Sequence, residues 1–263
     1  MVSVDIKLGS PDRFGFEWEK YCKIHPIYEE QFLRWTKKNI PKNQWKGKSI
    51  LDVGCGNGRN SYWPLTYGAT RATLIDVDER TLSCARKNLS TYNNAEIINK
   101  SAYEIDYVSE FDVAFSIGVI HHLEQPSLAI ENMKKSVKKG GKVLIWVYGY
   151  ENNEWIVRYF NPFRNKIFSK LPVSIVHFLS NFPAAIVWLV AHLGLGKTEY
   201  MKLLKLMTFS HLRSIVFDQM IPSIAHYYKR QEAIDLLESS GLINIKIHNV
   251  NDMSWSVMGE KSD

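Results

Sequence analysis

The sequence predicts an α/β protein: a doubly wound, mostly parallel sheet of seven strands, with a helical lid inserted after the fifth. Three observations carry that expectation. Short apolar runs bounded by turn residues alternate with segments of helical periodicity over residues 49–147. The first run, Ser49 to Val53, passes into a helical segment through a loop with glycine at positions 54, 56 and 58. The stretch 149–226 is far longer than an ordinary strand-to-helix connection, so it is expected to fold as an insertion.

Taken in order, residues 1–47 form an N-terminal helical and aromatic cap in which Phe14, Phe16, Trp18 and Tyr21 alternate ahead of the first strand. These rings either close over a ligand as part of its pocket or anchor the cap on the core. Strands are expected at Ser49–Val53, Ala72–Asp76, Ala95–Asn99, Val113–Ile117 and Lys142–Val147, with helices between them at Asn60–Tyr67, Glu79–Tyr92 and Pro126–Val137. After residue 228 the pattern resumes as an amphipathic helix, Gln231–Ser240, stopped by Gly241 and followed by strands Ile243–Val250 and Trp255–Gly259. The core is therefore divided into 48–148 and 227–263. Repeated strand–helix units imply a sheet covered on both faces, with binding at the carboxyl ends of its strands.

The glycine loop is where a nucleotide-like ligand would sit. Glycines permit positive φ and close approach of the backbone, and the helix that follows offers unpaired N–H groups. Asp52, just ahead of the loop, would repel a pyrophosphate but suits a ligand presenting an ammonium group. Arg59 also occupies the slot that the dinucleotide fingerprint reserves for its last glycine.

The loop Ile50-Leu-Asp-Val-Gly-Cys-Gly-Asn-Gly-Arg-Asn-Ser61 resembles motif I of the class I S-adenosylmethionine-dependent methyltransferases, and further pieces follow in the order of that family. Asp76 stands about 20 residues past the glycines, where a ribose-binding carboxylate belongs. Val77 would pack on adenine. Lys100-Ser-Ala-Tyr103 falls where many members carry an Asp that reads the adenine amino group; Ser101 replaces it, which shifts recognition to Ala102 and Tyr103. Phe111 to Leu123 resembles strand four and the loop beneath the methionine moiety, and Lys139 to Val147 resembles strand five. The tail after residue 228 is similar to the family's last helix and antiparallel strand pair. The resemblance implies a Rossmann-like methyltransferase fold, S-adenosyl-L-methionine as cofactor and S-adenosyl-L-homocysteine as product. It implies donor contacts from Asp52, Gly54, Cys55, Gly56, Asn57, Asn60, Asp76, Val77, Ser101, Ala102, Tyr103, Ser116, Ile117, Gly118 and His121.

Methyl transfer is an in-line displacement that needs alignment and exclusion of water more than covalent machinery. A hydroxyl acceptor benefits from a base, and His121, His122 and His226 are the candidates because histidine titrates near neutrality. Each has a structural alternative, as a packed or loop-holding ring. By position, Tyr148, Tyr150, Trp155 and Tyr227 would line the acceptor side; Asn152, Asn153 and Glu154 add polar groups there. No metal site is expected. The chain lacks the Pro-Pro-aromatic run of amino-methylating nucleic-acid enzymes and the Pro-Cys pair of cytosine-carbon enzymes. The reading is a methyltransferase acting on O or N, less readily C, of a small molecule such as a sugar, lipid or secondary metabolite. The alternatives are an RNA methyltransferase and a noncatalytic binding protein on the same fold.

The insertion bears on that choice. Val173 to Gly196 is strongly apolar but interrupted by His177, Asn181, Pro183 and His192. A membrane span needs about 20 nearly unbroken apolar residues, so a buried helical hairpin is the expectation, with a membrane-surface or lipid-substrate patch as the alternative. Arg158, Arg164, Lys166, Lys170, Lys197, Lys202, Lys205 and Arg213 outnumber Glu151, Glu154, Glu199 and Asp218 there. A cationic lid would attract an anionic acceptor, nucleic acid included; solvated helix faces explain it equally. The whole chain nets +6, and 45% hydrophobic content supports a substantial core. Cys22, Cys55 and Cys84 have neither metal-ligand nor paired spacing, and no apolar leader opens the chain near Asp5, Lys7, Asp12 and Arg13. A reducing cytoplasm is the compartment this suggests.

Overall fold

The structure is a computed structural model that describes residues 10–195 and 199–262. Lys197 and Gly196 of the insertion, and Asp5 and Lys7 near the start, lie outside the described residues. Seven strands form one sheet in the order β3-β2-β1-β4-β5-β7-β6. The strands are β1 (Ser49–Val53), β2 (Arg71–Asp76), β3 (Ala95–Asn99), β4 (Phe111–Ile117), β5 (Val137–Tyr148), β6 (Leu242–Val250) and β7 (Ser254–Lys261). Strands β1 to β5 pair in parallel, and β7 runs antiparallel to both β5 and β6. The order reverses at β1 and β4, which opens a crevice between their carboxyl ends.

Alternation along the strands assigns side chains to faces. Ile50 joins the layer built by α2 (Ile27–Thr36), α3 (Arg59–Thr66) and α4 (Glu79–Asn88), whose Phe32, Trp63 and Leu82 are buried. Leu51 and Val53 join the other, where α5 (Pro126–Ser136) and α11 (Arg230–Glu238) contribute Ile130, Met133 and Leu237. Local chemistry sets the helix ends: Asp78 caps α4 by accepting from the Arg80 amide at 2.9 Å, and Pro126 opens α5. Helix α4 stops four residues before the expected Tyr92, since Asn88 turns its amide onto the carbonyls of Cys22 and Asn57.

Helix α1 (Pro11–Lys20) lies against α4. Gly15 makes that approach possible, because a Cβ there would stand 2.0 Å from Asp78 Oδ2. Arg80 then reaches from α4 to the Asp12 carbonyl at 2.8 Å and to its carboxylate at 2.9 Å. Cys22 and Cys84 complete the attachment as a disulfide, which corrects the reading of the cysteines as unpaired and removes the support they gave to a reducing compartment. Their spacing of 62 residues held no clue, since the partners meet only after the cap packs on α4. Cys55 is the free, buried thiol.

Between β5 and α11 the chain forms a π-helical turn at Ile156–Phe160 and helices α6 (Asn161–Lys166), α7 (Val173–Leu179), α8 (Asn181–His192), α9 (Glu199–Lys205) and α10 (Phe209–Met220). The apolar centre breaks at Ser180, with Pro183 tolerated in the first turn of α8. It is not the buried hairpin expected from its composition. Val176, Ala184 and Ala191 are buried, whereas Phe178, Phe182, Ile186 and Leu189 are exposed, because α7 and α8 have packing partners on one side alone. Arg13 of α1 caps the turn before α7, donating to the carbonyls of Phe168 at 2.8 Å and Leu171 at 3.0 Å.

A cross-link closing so long a loop chiefly restricts the unfolded chain. Cys22→Ser should lower the unfolding free energy by about 2–4 kcal/mol, read as a reduced urea midpoint in non-reducing buffer; an unchanged midpoint would count against the bond.

Candidate active site

Three glycines at positive φ, Gly54 at 74°, Gly56 at 55° and Gly58 at 81°, turn the chain from β1 into α3. The amides of Gly54 and Cys55 donate to the Ile75 carbonyl at 2.9 and 3.0 Å, which pins the loop to β2. A Cβ on Gly54 would meet Val119 at 2.4 Å, so the loop and the segment after β4 close on each other only around glycine. Asp76, at the end of β2, accepts from the Gly56 amide at 3.0 Å and the Asp78 amide at 3.1 Å. Burial raises its pKa, and those amides oppose the shift.

These residues border a cavity of about 840 Å³ that runs from the glycine loop to the insertion. Of the residues expected to bind the donor, Gly54, Cys55, Gly56, Asn57, Asn60, Asp76, Val77, Ser101, Ala102, Ile117 and Gly118 are on its wall. Asp52, Tyr103, Ser116 and His121 are not. Asp52 points with Ile50 toward α3, where its Oδ2 accepts from Ser61 Oγ at 2.8 Å, and burial pushes its pKa to about 7. The carboxylate is thus beneath the loop rather than facing a ligand. Ser116 Oγ donates to the Val53 carbonyl at 2.8 Å and ties β4 to β1. Tyr103 turns away to accept from the Gln125 amide, and Asn132 engages the carbonyls of Ala102 and Tyr103. Asn57 also holds the cap, donating to the carbonyls of Tyr21 and Cys22.

The aromatic run of the cap splits by helical period. Phe14 and Trp18, one turn apart on α1, face the cavity; Phe16 packs on His177 and Phe217, and Tyr21 bonds to His177 Nε2 at 3.1 Å, both off the wall. The alternating pattern suggested a shared role that a helix cannot give. Tyr148, Trp155 and Tyr227 line the cavity, whereas Tyr150 does not.

Among the histidines, His122 is buried on the wall and its Nδ1 is 2.7 Å from the Ile224 carbonyl. A carbonyl can only accept, so Nδ1 carries the proton and Nε2 keeps its lone pair. Burial lowers the His122 pKa to about 4, leaving the ring neutral at pH 7. His121 is fully buried, its ring 3.8 Å from that of Tyr148, and burial lowers its pKa as well. His226 is exposed, with its amide on the His121 carbonyl, so the structure does not bring it over the cavity.

Sequence reasoning missed a polar cluster at the centre of the wall. Buried Glu17 of α1 and half-buried Asp218 of α10 lie close together; burial and their mutual repulsion raise the Glu17 pKa, and burial raises that of Asp218. Tyr148 donates to Asp218 at 2.9 Å and accepts from Gln219 at 2.6 Å. The Arg59 guanidinium lies 4.5 Å from the Trp18 ring centre and 5.0 Å from that of Tyr28, and favours the charged forms of both acids. Glu17 could have been found from its spacing to Phe14 and Trp18 on one helical face; Asp218 carried no signal of its own.

Residues 51–145 match the family model described as a methyltransferase domain. The chain is 28% identical over 121 residues to a tRNA U34 carboxymethyltransferase of Alteromonas mediterranea, covering 43% of this chain and 36% of that protein. It is 29% identical over 136 residues to a ubiquinone biosynthesis O-methyltransferase of Thiobacillus denitrificans, covering 50% and 55%. The chain thus spans roughly a third to a half of the length of these curated relatives. In fold it is similar to an S-adenosylmethionine-dependent methyltransferase of Thermotoga maritima, with a TM-score of 0.57 at 14% identity over 95% of this chain and 99% of that one.

The buried Asp52 makes stability depend on pH. Its folded pKa, about 7, lies above the usual carboxylate value, so its contribution is full below pH 4 and is lost as pH rises through 7. Asp52→Asn, which keeps an acceptor for Ser61, should raise the urea midpoint at pH 8 and leave it nearly unchanged at pH 4; equal shifts at both would contradict the burial argument.

Proposed function

We infer that this chain, a member of the class I S-adenosylmethionine-dependent methyltransferases through its domain at residues 51–145, moves a methyl group to a hydroxyl or amine of a small molecule with a substantial apolar body. The observation that carries the reading is the continuity of one cavity, from a glycine trough with a carboxylate at its end to a mostly apolar chamber holding a few polar groups. Its volume of about 840 Å³ is near the upper end of small-molecule sites, room for a donor and an acceptor together.

The residues fit the donor. The trough walled by Gly54 and Gly56 is a cradle that side chains would fill, and Asp76 is positioned to accept from ribose hydroxyls. When bound, S-adenosylmethionine supplies a methyl group on a cationic sulfur. Ile117 and Gly118, on the cavity wall, would form the floor beneath that centre, and Trp18 closes the trough above Gly56, whose Cβ position is 3.6 Å from the indole. Together they would hold the reacting atoms in line and exclude water.

On the acceptor side, His122 Nε2 takes the proton from a hydroxyl while the Ile224 carbonyl holds the ring in the required tautomer. Tyr148, Gln219 and the Glu17–Asp218 pair supply the hydrogen-bonding groups that orient the polar end. Leu179, Val187 and Leu204 receive the apolar remainder. An RNA acceptor is the second reading, favoured by the likeness to the tRNA-modifying relative and by the basic insertion. Supplying donor with a labelled methyl to separated small-molecule, lipid and RNA fractions decides between them.

Asp76→Ala should weaken donor binding by about 1–3 kcal/mol, since buried hydroxyls lose a charged acceptor; calorimetry showing unchanged affinity would remove the ribose assignment. His122→Gln should slow turnover on a hydroxyl acceptor about 100-fold with donor affinity retained. In the parent enzyme the rate should fall as pH drops toward 4, where Nε2 becomes protonated, and not near 6.5.

A further inference from the structure

We propose that the insertion rests on an anionic lipid bilayer through the outer face of α7 and α8, and that the methyl acceptor is an amphipathic molecule taken from that bilayer. The inference deepens the reading above and rests on it for the acceptor, but the docking surface is argued from its own observations.

Helix α8 is apolar around its whole circumference. Pro183 and Val187 face the cavity and Ala184 and Ala191 are buried against neighbouring helices, while Phe182, Ile186 and Leu189 are 60%, 65% and 53% exposed on the other side. Phe178 continues the patch on α7, its ring 6.1 Å from that of Phe182, and Leu193 extends it past the end of α8. Helices apolar on every side are found in cores or in contact with lipid, and exposed apolar patches of this kind mark interaction surfaces. Outside residues 155–209, the exposed large hydrophobic side chains among the described residues are Val108 and Ile243. The exposed apolar surface is therefore concentrated on the part of the molecule that walls the acceptor chamber.

Charge selects the occupant. Between Trp155 and Phe217 the sequence holds eight Lys and Arg residues against a single acid, Glu199, whereas the remainder holds 25 bases against 26 acids. With Glu151, Glu154 and Asp218 counted, the insertion of residues 149–226 nets +4 of the chain's +6. Arg158, Lys166, Lys170 and Lys205 are exposed on it, beside exposed Tyr159, Ile167 and Leu206. Cations interleaved with aromatic and aliphatic side chains suit the headgroup and upper acyl region of an anionic leaflet.

The same geometry decides between lying on the bilayer and crossing it. Val173–His192 is long and apolar enough to span by composition, with a mean hydropathy of 1.8. Its inner side forms part of the cavity wall, however, so it is not surrounded by lipid. Side chains of one face, Leu179 and Val187, line the acceptor chamber, and those of the other would meet acyl chains. A lipid-like acceptor would then pass between two apolar environments separated by the thickness of a helix.

Sedimentation with vesicles of phosphatidylcholine alone, or of an equal mixture with phosphatidylglycerol, tests the proposal on the full chain without donor or acceptor. Binding should be at least about tenfold tighter to the anionic vesicles and should weaken with salt. The double variant F182E/I186E should lose vesicle binding while retaining the circular-dichroism spectrum and donor affinity of the parent. The proposal is overturned if the parent binds donor but remains in the supernatant with anionic vesicles at low salt, or if the double variant sediments as the parent does. A dimer seen by light scattering, split by F182E/I186E and indifferent to vesicles, would instead assign the face to a second copy of the chain. A failure of methyl transfer itself would appear in the labelled-methyl experiment and leaves the vesicle result unaffected.

Discussion

The Arg59 guanidinium is the charge on which the three parts of the molecule converge. It projects from the first turn of α3 among the rings of Trp18, Tyr28 and Trp35, and it faces Glu17 from the cap and Asp218 from the insertion. Burial favours the protonated form of each acid and the cation favours the charged form, while the cation itself needs the ring faces and the acids to offset lost hydration. Removing one member leaves the others poorly compensated, so cap, core and insertion are coupled through this point. Tyr148 at the end of β5 extends the coupling into the sheet through its bond to Asp218.

Around that point the sheet does the positioning. The exchange of order at β1 and β4 leaves a crevice, and the glycine loop fills its edge with backbone in place of side chains. Asp76 serves twice, fixing the loop through the Gly56 amide while presenting carboxylate to the cavity. Asp52 instead fixes α3 through Ser61, a supporting role for the acid whose charge had suggested direct contact.

Much of the architecture was legible because it is written in short-range pattern. All seven strands were visible as apolar runs, and their ends moved by a few residues at most except in β5, which starts five residues before the expected Lys142. That extension depends on Val137 pairing with Phe111 across a bulge, a contact between distant positions. The site was legible where local sequence fixes geometry, as at Gly54, Gly56 and Asp76. It was illegible where tertiary packing decides: the disulfide, the opposite directions of Phe14 and Phe16, and the meeting of Glu17 with Asp218. The exposed face of α7 and α8 belongs to the same class, since composition states that a segment is apolar and not whether anything covers it.

The bond between Cys22 and Cys84 has one more consequence. It makes a covalent ring of the intervening chain, and Gly54, Gly56, Arg59 and Asp76 are all inside it. Peeling the glycine loop from β2 is therefore an event within a closed circle, whose released segment gains fewer configurations than a linear chain would. The glycine-loop half of the cavity is stiffened by topology, while the helices facing it across the chamber carry no such hoop; any breathing that admits a bulky guest is biased toward their side.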